Sequence, residues 1–345
     1  MKYRLYTTSH KAWDGMYDAI AKAEKRVYLE MYILSSDTKK THDFFALLIE
    51  KAKKGLEVVI IADALGSTAL SSSLIKESRA AGIEFIFFSH FLKRTHRKML
   101  IVDNKVAFLG GVNIKEGARD WLDLQIKFKG SPVKLALRSF ANSYFKVGGS
   151  KESILKFSRT NLPKKIKNWI FDNFPTSNKL YNLNRRYILK IDQAKSLVQI
   201  VTPYLLPPRR LFLALDNACR RGVRAEIIIP KNTDINSLDK INYINARRLF
   251  DLGVVFYFGG QMNHSKILLI DKKEVLIGSQ NVDILSFGLN YEAGMFSQQP
   301  DLVKDVSTVI EGWKVEATSF AGWNNRMKFF EKISFYFYRL IFSIF

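Results

Sequence analysis

Cysteine is nearly absent from this 345-residue chain, which has Cys219 alone. That excludes an internal disulfide and a cysteine-based zinc cluster, and it fits a reducing compartment. Only five histidines occur, so their placement is informative. No stretch reaches the roughly 18 apolar residues that a membrane-spanning helix needs. Residues 1–34 carry charges every few positions and lack the basic, apolar and small-residue blocks of a signal peptide. Acidic residues are scarce beside basic ones: 32 Asp plus Glu against 54 Lys plus Arg, a formal net charge of +22. Such an excess predicts an anionic partner, whether nucleic acid, acidic lipid or another phosphate-rich surface. With 47% hydrophobic and 25% charged residues, general disorder and a collagen-like repeat are excluded. The length suggests about two domains.

What is present is an internal duplication. Residues 23–34 (AEKRVYLEMYIL) lead to 44–63 (FFALLIEKAKKGLEVVIIAD), and 193–206 (QAKSLVQIVTPYLL) lead to 211–230 (LFLALDNACRRGVRAEIIIP). Each pair reads as a strand, an amphipathic helix closing at Gly55 or Gly222, and a buried strand rich in Val and Ile. Both halves continue with a helix, a short strand (82–88 and 253–259) and a histidine-bearing segment. The expected fold is therefore α/β, with two pseudo-symmetric lobes, each a mixed β-sheet flanked by helices. A ligand site belongs at the carboxyl ends of the strands, at the lobe interface. Residues 1–150 read as the first lobe and 186–325 as the second. The stretch 151–185 reads as a basic linker or surface insertion, with Trp169, Phe171 and Phe174 interleaved among its cations.

The chemistry concentrates in two matched segments. His96, Lys98, Asp103, Gly110, Gly111 and Asn113 follow the pattern H-x-K-x4-D-x6-G-[GS]-x-N, and so do His264, Lys266, Asp271, Gly278, Ser279 and Asn281. The chance of such a match after one histidine is on the order of 10⁻⁵, so two copies are not coincidence. Each copy reads as a strand, a tight turn and a return strand, with His and Lys on one strand face. The small residues Gly110, Gly111, Gly278 and Ser279 let backbone amides and the Asn side chain approach a ligand closely. Asp103 and Asp271 read as turn-stabilising residues.

Two imidazoles, two ammonium groups and two amides suit a phosphodiester. Lys98, Lys266, Asn113 and Asn281 supply donors to its oxygens. One imidazole can attack phosphorus while the other protonates the departing alcohol, leaving a phosphohistidine for an incoming alcohol or water. No metal or other cofactor is required, and no metal-ligand spacing is seen; His10, His42 and His90 are scattered.

The paired H-x-K-x4-D motifs resemble the phospholipase D superfamily. YIL at Tyr32, ADALGS at 62–67, GGVNI at Gly110, W-x-D at Trp121, TPYLLP at Thr202, GSQNVD at Gly278 and SFGLNYE at 286–292 resemble its bacterial cardiolipin synthase branch. The resemblance covers about residues 15–300. It implies His96 as nucleophile and His264 as general acid and base. It also implies a carboxylate behind each imidazole: Asp123, 27 residues after His96, and Glu292, 28 after His264, each serving the histidine of the opposite lobe. Two departures stand out. The membrane helices usual before the first lobe are not seen, and an Arg expected in the D-x-R-S-F run is Leu285.

The expected activity is phosphatidyl transfer, joining two phosphatidylglycerols into cardiolipin plus glycerol at the cytoplasmic face of a bacterial membrane. The alternatives are hydrolysis or headgroup exchange on another phospholipid, a nuclease, and a scaffold with a dead site. Anionic phospholipid and the membrane surface are the expected partners. Nucleic acid is disfavoured by the lipid-type motifs and by residues 326–345, and no obligate protein partner is evident. That terminal stretch holds eight aromatics in twenty residues, interrupted by Lys328, Lys332 and Arg339, and reads as a tail for acidic membrane surfaces.

Overall fold

A computed structural model describes residues 1–159, 167–174 and 183–319. Two mixed sheets organise them. The first has strands β1 (Lys2–Thr8), β2 (Arg26–Met31), β3 (Glu57–Asp63), β4 (Glu84–Phe88), β5 (Lys98–Val102), β6 (Val106–Gly110) and β7 (Leu122–Lys129). Their order is β1-β7-β6-β5-β2-β3-β4. The second lobe adds β8 (Asn168–Asn173), β9 (Leu197–Val201), the short β10 (Leu205–Leu206), β11 (Arg224–Pro230), β12 (Val255–Gly259), β13 (Ile267–Ile270), β14 (Glu274–Gly278), β15 (Val282–Asp283), β16 (Glu292–Ser297) and β17 (Ala317–Ser319). Its large sheet runs β17-β12-β11-β9-β13-β14-β16-β8, while β10 pairs separately with β15.

The duplication is visible strand by strand. β2, β3 and β4 run parallel, as do β9, β11 and β12; β5 pairs antiparallel with β2 and β13 with β9, and each opens an antiparallel hairpin, β5–β6 or β13–β14. β8 pairs antiparallel with β16 as β1 pairs with β7. The stretch expected to be a linker thus supplies an edge strand equivalent to β1. Its Asn-Trp-Ile-Phe-Asp-Asn sequence has only a weak alternating pattern amid basic neighbours, so pattern reading passes over it.

Side-chain alternation explains the layering. Met99 and Ile101 of β5 join Ile267 and Leu269 of β13 in one central cluster, which the helices Pro132–Lys146 and Pro300–Val315 complete. Leu100 and Val102 face the other way, onto helices Ser9–Ala21 and Phe44–Lys53. Leu268 and Ile270 face their own outer layer, which includes helices Leu183–Gln193 and Arg209–Arg220. The two inner sheet faces therefore share a single core, and the lobes are fused rather than merely adjacent.

Candidate active site

Each motif strand enters its sheet just after its histidine. The turns that follow are held in the left-handed region, at Asp103 (φ 52°) and Asn104 (φ 57°), and at Asp271 (φ 51°) and Lys272 (φ 51°). Short polar side chains tolerate this conformation best. The Asp103 carboxylate accepts from the backbone N–H of Lys25 (2.8 Å) and Arg26 (2.9 Å). Asp271 accepts likewise from Ser196 (2.8 Å) and Leu197 (2.9 Å). Both aspartates thereby clamp the hairpin turn to the start of a parallel strand, far from the imidazoles. Burial opposes their ionisation, but these N–H donors outweigh it and hold both carboxyls below their ordinary range.

At the other end of the hairpins the lobes cross. His96 N–H donates to the Tyr291 carbonyl (2.9 Å), at the head of β16, and His264 N–H donates to the Leu122 carbonyl (2.7 Å), at the head of β7. These backbone ties bring each imidazole against a carboxylate of the opposite lobe. His96 Nδ1 lies 3.0 and 3.2 Å from the Glu292 oxygens, and His264 Nδ1 lies 2.9 Å from Asp123 Oδ2. All four side chains are buried. A carboxylate on Nδ1 favours the tautomer with its proton there, leaving Nε2 as the basic nitrogen.

The glycines make this approach possible. A Cβ on Gly111 would fall 2.2 Å from Asp123 Oδ1, and one on Gly110 would fall 2.2 Å from the Leu124 carbonyl oxygen. A Cβ on Gly278 would sit 2.6 Å from the Ala293 carbonyl oxygen. Ser279, equivalent to Gly111, instead donates its hydroxyl to Glu292.

The lysines are buried beside the imidazoles. Lys98 Nζ donates to the His96 carbonyl (2.6 Å) and lies 5.0 Å from the Tyr32 ring centroid; Lys266 Nζ donates to the His264 carbonyl. Burial pushes Lys98 well below its ordinary value, and the Lys266 charge adds to this. Burial also lowers Lys266, to about 8. Burial and then the nearby ammonium groups depress both imidazoles, His264 to about 4. Burial raises Glu292 to about 7, although Lys98 and Ser279 work against the rise. Asn113 Oδ1 accepts weakly from Ile33 N–H (3.3 Å), and the buried Asn281 Oδ1 has no partner among the described residues. Two buried ammonium groups, two imidazoles and two carboxylates thus share one buried centre.

Several neighbours received no role from the sequence. Tyr32, Trp121 and Tyr204 flank the imidazoles, with ring centroids 4.7 Å from His96 and 5.4 and 6.5 Å from His264. Arg97, between His96 and Lys98, is fully buried. Its guanidinium donates to Glu30 (2.9 Å), Asp172 (2.7 Å) and Ser139 (2.7 Å). Asp172 sits on β8 opposite Ala293, the residue after Glu292. Arg97 thus ties the His96 strand to the sheet that carries its carboxylate. Nothing in the local sequence announces these partners, which lie 67 and 75 positions away. His42 is remote from the motif strands and bonded to Asp14 (2.8 Å), and His90 is exposed. Residues 326–345, the expected membrane tail, lie outside the described residues.

The family model described as "Cardiolipin synthase, PLD-like domain" matches residues 16–131 and 187–313. A cardiolipin synthase of Clostridium perfringens is 32% identical over 316 residues, covering 85% of this chain and 66% of the relative. One from a Geobacillus species is 29% identical over 325 residues, covering 87% and 64%. The chain therefore spans just under two thirds of the length of these curated relatives. The crystal structure of a phosphatidylserine synthase from Haemophilus influenzae shares the fold, with a TM-score of 0.76 at 14% identity, over 98% of this chain and 93% of that one. With both motif-bearing lobes inside the matched segments, the chain belongs to the cardiolipin synthase, PLD-like domain family.

Proposed function

We propose that this protein is a phosphatidyltransferase that joins two phosphatidylglycerols into cardiolipin and glycerol through a phosphohistidine. The observation that carries the reading is the crossed pairing of His96 with Glu292 and His264 with Asp123 around two buried lysines. A phosphodiester anion suits the two buried ammonium groups, and Lys98, Lys266, Asn113 and Asn281 donate to its oxygens.

His96, held neutral near pH 7, attacks phosphorus through Nε2. The bond from phosphorus to the leaving glycerol oxygen breaks as His264 Nε2–H gives that oxygen its proton. His264 can carry that proton because the substrate's negative charge adds to that of Asp123, and together they offset the burial and the two ammonium groups that depress it. In the second step, neutral His264 takes the proton from a glycerol hydroxyl of the second phosphatidylglycerol. That oxygen attacks phosphorus, the P–N bond breaks, and His96 is restored. Glu292 and Asp123 act through the imidazoles as positioning residues: they fix the tautomers and stabilise the charged forms.

The net charge of +22 suits an anionic lipid surface, and peripheral binding at the cytoplasmic face is the matching location. No helix among the described residues is long and apolar enough to cross a membrane. The test is purified protein on phosphatidylglycerol vesicles, with products read by mass spectrometry and His96→Ala as control. Cardiolipin plus glycerol, absent from the variant, is the expected result. Phosphatidic acid alone would mean that water is the acceptor and the protein a hydrolase.

A further inference from the structure

Nine large apolar side chains are exposed among the described residues; four of them lie on loops bordering the catalytic centre, and a fifth, Leu285, on the short helix Ile284–Gly288 beside it. Leu65 (57% exposed) follows β3, Phe91 (88%) and Leu92 (52%) follow β4, Ile235 (44%) follows β11, and Leu285 (47%) follows the second motif. β3, β4 and β11 are parallel strands, so these loops leave their carboxyl ends, where α/β sheets bind ligands.

Hydrogen bonds join three of these segments into one rim beside His96. The Asp63 carboxylate accepts from the N–H of Leu65 (3.1 Å), Gly66 (2.9 Å) and Thr95 (2.8 Å), the residue before His96. The Arg94 carbonyl accepts from Tyr291 N–H (2.8 Å), and Asn290, beside Tyr291, donates to the Leu285 carbonyl (2.8 Å). The fourth segment flanks His264: Tyr204, whose ring is 6.5 Å from that imidazole, donates its hydroxyl to Asp234 (2.5 Å), next to Ile235.

We propose that these loops are the face on which the protein rests against an anionic lipid bilayer, with Phe91 and Leu92 entering the acyl boundary. Scattered single apolar residues need no explanation, but five around one site entrance do. The occupant is a bilayer rather than a protein groove because cations accompany the apolar residues. Lys93 and Arg94 follow Phe91 and Leu92, and exposed Lys231 shares the loop of Ile235, in a chain of net charge +22. Leu285, where the family resemblance leads one to expect Arg, adds apolar surface to the same rim. This docking face rests on the lipid reading of the site given above. Placing it at the site entrance lets the phosphodiester reach the imidazoles while its acyl chains stay in the membrane.

The test compares wild type, the double substitution Phe91→Ser with Leu92→Ser, and Leu189→Ser, an exposed apolar position beside Lys190, which binds Glu274 at the turn end of the second hairpin. The full chain is sedimented with vesicles of phosphatidylglycerol and phosphatidylcholine. Turnover is measured on those vesicles and on a short-chain phosphatidylglycerol kept monomeric. For the double variant, vesicle partitioning and vesicle turnover should each fall at least tenfold. Its turnover of monomeric lipid and its melting temperature should stay at wild-type values, and Leu189→Ser should leave partitioning unchanged. Partitioning of the double variant within twofold of wild type, or an equal loss in Leu189→Ser, would overturn the docking face. If partitioning depends on Phe91 and Leu92 but the wild type turns over neither lipid, the docking face stands and the phosphatidyltransferase reading falls. If both lipids are turned over and partitioning is unchanged, the reverse holds.

Discussion

The two motif copies match in spacing but are anchored differently. In the first, the residue between His and Lys is Arg97, held by Glu30, Asp172 and Ser139; in the second it is Ser265, whose buried hydroxyl has no partner among the described residues. The backing of the carboxylates is also unequal. Gly111 leaves room for Asp123, whereas Ser279 donates a hydroxyl to Glu292. The shared parts of the motif suffice to build the phosphate site. The unshared parts fall on the pair His96–Glu292, whose imidazole forms the covalent bond in the proposed mechanism and has to stay in register through two displacements.

The two histidines offer the largest effect with which to break this comparison. On a diester with a p-nitrophenyl leaving group, His96→Ala should lose turnover by about 10⁴-fold or more and release no burst of p-nitrophenolate. His264→Ala should give a burst of one equivalent and then stall, because that leaving group needs no proton but the next acceptor needs a base. Equal bursts from both variants would erase the assigned asymmetry.

The anchoring residues come next. Arg97→Gln strands the buried Glu30 carboxylate and the half-buried one of Asp172, and should cost roughly 3–5 kcal/mol of stability in denaturant titration. Ser265→Ala, at the equivalent position, removes a hydroxyl without a partner and should leave stability within about 0.5 kcal/mol of wild type. Similar losses from the two would show that Arg97 is not an anchor.

Lys266→Met should separate function from stability. The Lys266 value of about 8 lies below the ordinary one, so its contribution to stability is present above the unfolded value and is lost as pH falls through about 8. At pH 7 the buried ammonium is therefore a net cost of about 3 kcal/mol. Lys266→Met should lose activity yet melt higher at pH 7, and that advantage should shrink as pH rises from 8 toward 10.5. Vanadate should raise the wild-type melting temperature and leave that of the variant unmoved.

The smallest effect sharpens the second difference. Ser279→Gly makes the second copy like the first and removes a donor that holds Glu292 down. The Glu292 carboxyl should titrate higher, displacing the acid limb of kcat/KM to higher pH by a fraction of a unit, with plateau activity within a few-fold. An acid limb that does not move would place its control elsewhere.

Much of the fold was legible because duplication doubles every signal: two helix–glycine–strand units and two motif hairpins appear in the same order. The edge strand β8 was not, since its six residues sit in a basic stretch whose charges mask the alternation. In the site, the motif residues were readable by spacing, and Asp123 and Glu292 only through family resemblance. The crossing of the lobes that joins them to the imidazoles is a tertiary event. Arg97 reads locally as a surface cation; its meaning depends on Glu30 and Asp172, which the fold alone brings near. The rim residues Phe91 and Leu92 are likewise ordinary in sequence, and their significance comes from the strand ends on which they sit.

The most direct measurement is peptide mapping of protein quenched at steady state with phosphatidylglycerol, under conditions that preserve P–N bonds. The account predicts an acid-labile phosphatidyl adduct on the peptide carrying His96, absent from His96→Ala, which lacks the nucleophile, and from His264→Ala, which cannot protonate the leaving glycerol. An adduct on the His264 peptide would contradict the assignment of roles, and turnover with no adduct on either histidine would contradict the phosphohistidine itself.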